Sequence, residues 1–180
     1  MTLRPLTVLL VFLFSAVGSA ADSHLFILSG QSNMSGLKPE NAFLPELKKL
    51  LPDDDIQHVK FAKGGQPIRK WVKTFDEIAA KSKLPAKKDP GTFYDQTLKV
   101  ALAQIATKAP KTITFLWMQG ERDAKENLSA AYEESMKTLI ANLRKDLDAP
   151  KMNFVLGRLS DFSTSGQWEA VRAAQVKVAK

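Results

Sequence analysis

The chain has 180 residues, 26 basic against 19 acidic side chains for a formal charge of +7, and no cysteine. That length suits one domain with a substantial core, and the lack of cysteine excludes a disulfide framework, a thiolate nucleophile and a cysteine-ligated metal. The lysines are dispersed, in short clusters such as Lys48-Lys49 and Lys87-Lys88, and aromatic residues do not interleave with them, so the basic surface reads as solvated and not as a nucleic-acid footprint.

The N-terminus supplies an address. Met1 to Arg4 carries one positive charge, Leu6 to about Val17 is apolar, and the small residues Gly18-Ser19-Ala20-Ala21 follow at a spacing suited to signal peptidase. The run is short for a bilayer span and predicts a secretory signal peptide over residues 1–21. The expected location is therefore secreted or periplasmic, with no stable membrane association after cleavage. Residues 22–180 are expected to form the domain.

Leu25-Phe26-Ile27-Leu28 is a continuous apolar run, as expected of a parallel strand buried on both faces, and it stops abruptly at Ser29-Gly30-Gln31-Ser32-Asn33-Met34. Leu44, Leu47, Leu50 and Leu51 then recur at helical spacing until Pro52-Asp53-Asp54-Asp55 breaks the pattern. Ile56 to Ala62 reads as a second strand and ends at Lys63-Gly64-Gly65-Gln66-Pro67-Ile68. Thr74 to Gly91 is polar, carries Pro85 and Pro90, and reads as a surface excursion with one short helix at Phe75 to Ala80.

From Thr92 a helical period runs through Leu98, Ala101, Leu102 and Ile105, closed by Pro110. Thr112 to Met118 is a third strand, rich in β-branched and aromatic residues, leading into Gln119-Gly120-Glu121-Arg122-Asp123. The longest helix is predicted from about Asn127 to Leu147, a fourth strand from Met152 to Leu159, and a last helix from Gly166 to Lys180. Strands alternating with helices predict an α/β fold with a parallel sheet and helices on both faces.

In such a sheet the carboxyl ends of the strands share one rim, where ligands bind. Three polar clusters meet there: Ser32 in its Gly-Gln-Ser-Asn-Met context, Gly64-Gly65, and Gln119-Gly120-Glu121. A serine after a strand is commonly a helix cap. With glycine N–H groups and a side-chain amide around the same point, it also matches the parts of acyl transfer, a hydroxyl nucleophile and donors for an oxyanion.

These three blocks, Gly30-Gln31-Ser32-Asn33-Met34, Gly64-Gly65-Gln66-Pro67-Ile68 through Trp71, and Trp117-Met118-Gln119-Gly120-Glu121-Arg122-Asp123, resemble in order and spacing the sialate O-acetylesterase-like carbohydrate esterases of the SGNH, or GDSL-like, hydrolase superfamily. The resemblance implies a flavodoxin-like three-layer α/β/α sandwich and cofactor-free, metal-independent removal of acetyl groups from carbohydrates such as sialic acid or xylan. It implies Ser32 as nucleophile, with the N–H groups of Ser32 and Gly65 and the Gln119 amide as oxyanion donors. Gln31, Asn33, Gly64 and Glu121 are the adjoining positions expected to contact substrate, with positioning roles at most for Glu121 and Asp123. The Trp-x-Gln-Gly-Glu block sets the chain apart from the lipase-like branches.

One departure matters. The resemblance implies a general-base histidine in an Asp-x-x-His block near the C-terminus, and none occurs here. The two histidines are His24, at the start of the first strand and read as an exposed terminal residue, and His58, an ordinary side chain early in the second. The chain stops in what reads as mid-helix, which leads to the expectation of a C-terminally truncated, nearly inactive esterase. The competing reading is a non-catalytic carbohydrate-binding protein that kept the fold and lost the base. Trp71 is open to two readings, stacking on a sugar ring or packing beneath the glycine loop.

Overall fold

A computed structural model of the chain describes residues 21–180, so all but the last residue of the predicted leader lies outside the described part. Four strands, β1 (Ser23–Gly30), β2 (Asp55–Ala62), β3 (Thr112–Met118) and β4 (Asn153–Gly157), form one sheet in the order β2-β1-β3-β4. Every pairing is parallel, with His24 opposite Ile56 and Thr112, and Thr114 opposite Asn153. The apolar run in β1 places it centrally: Leu25 and Ile27 are buried on one face and Leu28 on the other.

The described residues also hold two 3-10 helices, Pro39–Asn41 and Ile68–Trp71, and seven α-helices: α1 (Ser32–Gly36), α2 (Phe43–Leu50), α3 (Phe75–Lys81), α4 (Tyr94–Thr107), α5 (Glu121–Lys125), α6 (Ser129–Asp146) and α7 (Gly166–Val178). None is long and apolar enough to cross a membrane. The longest helix, expected from about Asn127 to Leu147, is α6, which starts two residues later at Ser129. Asn127 adopts a positive φ of 57°, a conformation that ends helices and that asparagine tolerates, so α5 stops and α6 starts afresh. The Thr74–Gly91 excursion also departs from expectation, since Phe75, Ile78 and Ala79 of α3 are buried and anchor it to the core.

The two faces of the sheet are covered unequally. On the first, Tyr132, Met136, Leu139 and Leu143 of α6 are buried in one cluster with Leu25, Ile27, Phe115 and Trp117, together with residues of α3, α4 and α7. On the second, among the described residues, α1, α2 and the short turn between them lie over the strands, with Phe43 edge-on to Phe26 at 5.6 Å. An apolar hollow of about 630 Å³ opens beside α2, lined by Met34, Phe43, Leu47, Leu116, Met118 and Val155. Helices thus flank both faces, as expected, but α2 buries none of its residues and Leu50 is 76% exposed.

Trp71 belongs to the core. It is completely buried, edge-to-face with Trp117 and with Phe93 at 5.1 Å each, which excludes stacking on a sugar ring. Trp71→Ala is expected to cost about 3–5 kcal/mol in urea unfolding. A loss under about 1 kcal/mol, the scale of a surface substitution, would contradict this packing.

Candidate active site

The carboxyl ends of β2, β1 and β3 stand side by side, so the three polar blocks converge as the topology demands. β1 ends at Gly30, whose φ of +137° turns the chain against β3, and the Gln31 N–H donates to the Met118 carbonyl at 2.9 Å. Ser32 follows as the first residue of α1, exposed, while Met34 is buried and seats the helix. The Lys60 ammonium reaches across from β2 and donates to the carbonyls of Leu37, at 2.6 Å, and Ser35, at 3.2 Å, satisfying oxygens that the short helix leaves open.

Ser32 shares a cleft of about 340 Å³ with Gln31, Gly65, Glu121, Phe162 and Trp168, the last two from the segment after β4. Gly65 has φ of +66° with nothing near an added Cβ, so glycine is favoured there by backbone conformation and not by space. Among the described residues, neither the Ser32 N–H nor the Gly65 N–H has a hydrogen-bond acceptor. Asn33 and Glu121 face each other across the rim, with Asn33 Nδ2 donating to Glu121 Oε1 at 2.8 Å.

Beneath the cleft a buried hub joins all three blocks. Gln119 Nε2 donates to Asp123 Oδ2 (2.5 Å), to the Gln66 carbonyl (3.0 Å) and to Gln31 Oε1 (3.2 Å). Asp123 Oδ2 also accepts from the Ile68 N–H at 2.9 Å, fixing the glycine loop from below. Gln31 Oε1 takes a second donor, the Arg122 N–H at 3.2 Å. The carbonyl of Gln119 accepts from Tyr132 Oη (2.8 Å) and Gln175 Nε2 (2.9 Å), which ties the hub to α6 and α7.

With that geometry in place, comparison with known proteins is informative. A family model described as "Carbohydrate esterase, sialic acid-specific acetylesterase" matches residues 35–180. The chain belongs to this family. The match begins three positions after Ser32, so the first block stands on its own residues and placement. No curated protein matched.

Solved structures agree on the fold of this carbohydrate esterase family member. A protein from Arabidopsis thaliana superposes with a TM-score of 0.70 at 21% identity, covering 87% of this chain and 82% of that one. A carbohydrate acetylesterase from Xanthomonas citri gives 0.60 at 18% identity, covering 87% of this chain and 47% of that one. At such identity the likeness establishes an SGNH-like α/β/α fold.

Charge around the cleft is managed from below. Asp123 is completely buried, and that burial raises its pKa to about 7, opposed by the hydrogen bonds from Gln119 and Ile68 and by Arg69, and reinforced by Glu126. Burial also pushes Glu126 up, but hydrogen bonds from Arg69 (2.6 Å) and Arg122 (2.8 Å) outweigh it and hold the carboxyl below its ordinary value. No group of three histidine, aspartate or glutamate side chains among the described residues could hold a metal ion.

Of the residues singled out by sequence, the cleft gathers Ser32, Gly65, Gln31 and Glu121, with Asn33 bonded to Glu121 at its side. Gly64 is exposed on the neighbouring loop, and Gln119 lies behind, only 1% exposed. The histidines lie elsewhere. His24 is not an exposed terminal residue: its ring nitrogens meet Thr112 Oγ1 at 2.8 Å and Asp54 Oδ2 at 3.0 Å, at the amino end of the sheet. Ring partners on another strand and in the loop before β2 hold it there. His58 faces Glu40 at 3.7 Å. Sequence reasoning missed Phe162 and Trp168 as cleft residues. The signal was that β4 ends on the same rim, so the segment after it had to pass near Ser32.

Proposed function

We propose that the chain is a secreted carbohydrate O-acetylesterase domain in which Ser32 attacks the acetyl carbonyl of an esterified sugar hydroxyl. The observation that carries this reading is the exposed Ser32 hydroxyl sharing a cleft with Gly65, where two backbone N–H groups have no acceptor among the described residues. Attack forms the Oγ–C bond as the Oγ proton passes to water, and moves the carbonyl π pair onto oxygen, which those N–H groups would stabilise. Collapse breaks the bond to the sugar oxygen, which leaves with a proton, and water then releases acetate from Ser32.

The histidine positions favour a second reading. Among the described residues no imidazole approaches Ser32, and a serine without its base loses orders of magnitude in rate while the oxyanion hole retains some. These residues alone are therefore expected to acylate slowly and turn over little. A degenerate, carbohydrate-binding protein of the same fold would not acylate at all.

Treatment with 4-nitrophenyl acetate, read by intact mass and peptide mapping, separates these outcomes. The expected result is a slowly formed acetyl adduct on Ser32, absent in Ser32→Ala, with turnover near background. No adduct on Ser32 would overturn the esterase reading. Rapid turnover abolished by Ser32→Ala would overturn the expected lack of a base.

A further inference from the structure

Trp71 is closed to solvent, but the Ser32 cleft has an aromatic ring of its own. Among the described residues Phe162 is the most exposed large apolar side chain, at 89%. Leu50 and Val155, also exposed, border the hollow on the second face of the sheet, whereas Phe162 shares the cleft with the nucleophile. A phenylalanine left in water forgoes the burial it ordinarily gains.

The ring is also held in place. It lies 6.3 Å from the ring of Trp168 at a tilt of 54°, and Trp168 is itself only 7% exposed. The two residues before it are pinned by α7: the Ser160 carbonyl accepts from Trp168 Nε1 at 2.9 Å and from Arg172 Nη1 at 3.2 Å, and Asp161 Oδ1 accepts from Arg172 Nη1 at 2.5 Å. Three residues after it, Ser165 caps α7 by accepting the Trp168 N–H. An exposed ring on an anchored segment loses little freedom when something covers it.

The charged groups lining the cleft narrow the kind of ligand. Glu121 brings a carboxylate, and Arg122 commits its Nε to Glu126 at 2.8 Å. Lys125 is exposed, so its attraction for an anion is screened by water. An acidic sugar gains little there and meets Glu121. A neutral pyranose with equatorial hydroxyls, such as a xylose unit of xylan, presents apolar C–H faces, and those hydrogens suit the negative face of an aromatic ring.

We infer that Phe162, backed by Trp168, is the platform on which the sugar ring stacks, and that it selects a neutral, equatorially substituted pyranose of the xylan type. The inference rests on the reading of Ser32 as the acyl acceptor. An acetyl group is small, and its carbonyl is engaged by Ser32 and the backbone N–H groups. Discrimination between one acetyl ester and another therefore falls to the wall that meets the alcohol part, and Phe162 is the exposed apolar surface which that wall offers.

The test follows Ser32 acetylation by 4-nitrophenyl acetate, read by intact mass with Ser32→Ala as background, while xylotetraose is added as competitor. A sugar on the platform covers the cleft, so xylotetraose is expected to slow adduct formation in the parent. In Phe162→Ala the concentration giving half protection is expected to rise about tenfold, the scale of one lost stacking contact. Phe162→Tyr keeps the ring and is expected to stay within about threefold of the parent, whereas Phe162→Leu, apolar but not aromatic, is expected to follow Ala. Half protection is measured within each variant, so a change in reactivity toward the acetate itself does not move it. Tm checks that each variant is folded.

A rise under about threefold in Phe162→Ala overturns the assignment, as does a Leu variant that binds as well as the Tyr variant. Xylotetraose that gives the parent no protection overturns it too. N-acetylneuraminic acid protecting the parent at lower concentration than xylotetraose overturns the neutral-sugar class. No Ser32 adduct in the absence of sugar overturns the esterase reading and takes this assignment with it, which separates the two failures.

Discussion

Gly30→Ala is expected to destabilise the chain by about 4 kcal/mol or more, a large share of the roughly 5–15 kcal/mol that holds a typical domain folded. Gly30 has φ of +137°, and an added Cβ would lie 2.1 Å from the Met118 carbonyl oxygen and 2.7 Å from its carbon, both backbone atoms of the paired strand. Neither neighbour can swing aside as a flexible side chain would, and the conformation itself is strained for any L side chain. The control is Gly64→Ala, where an added Cβ meets nothing within 4 Å. Urea unfolding of the two variants should therefore diverge sharply. A Gly30→Ala protein within about 1 kcal/mol of the parent would mean that β1 and β3 do not meet this closely.

The second large effect is on pH dependence. Asp123 titrates near 3.8 when ordinary and at about 7 in the folded chain, chiefly because it is buried. Between those values the folded state holds a proton that the unfolded state has lost, so this group makes stability fall as pH rises through the window, by at most about 1.4 kcal/mol per pH unit. Asp123→Asn retains an acceptor for Gln119 and Ile68 and cannot ionise. Its stability is expected to gain on the parent's steadily from pH 4 to 7, measured by denaturant unfolding at each pH. A difference between the two that stays flat or shrinks over that window would overturn the placement of Asp123.

Much of the architecture was legible because it depends on local pattern. Thr112 to Met118 is the third strand residue for residue, and the Leu25–Leu28 run is the central strand, since only a strand buried on both faces is apolar without alternation. The convergence of Ser32, Gly65 and Gln119 at one rim followed from parallel order alone. What was hidden depends on partners far away in sequence. His24 looked exposed because its partners lie in other strands and loops, 88 and 30 positions on.

The sheet order has a kinetic corollary. The central strand must pair with β3 at a sequence separation of 88, and the hub beneath the cleft closes a loop of the same separation between Gln31 and Gln119. Closures of that span come late and slowly, after local helices have formed and exchanged many times. The hub beneath the cleft is therefore expected to close after β1 has paired with β2, a pairing that spans only 32 positions and brings the Ser32 and Gly65 loops side by side.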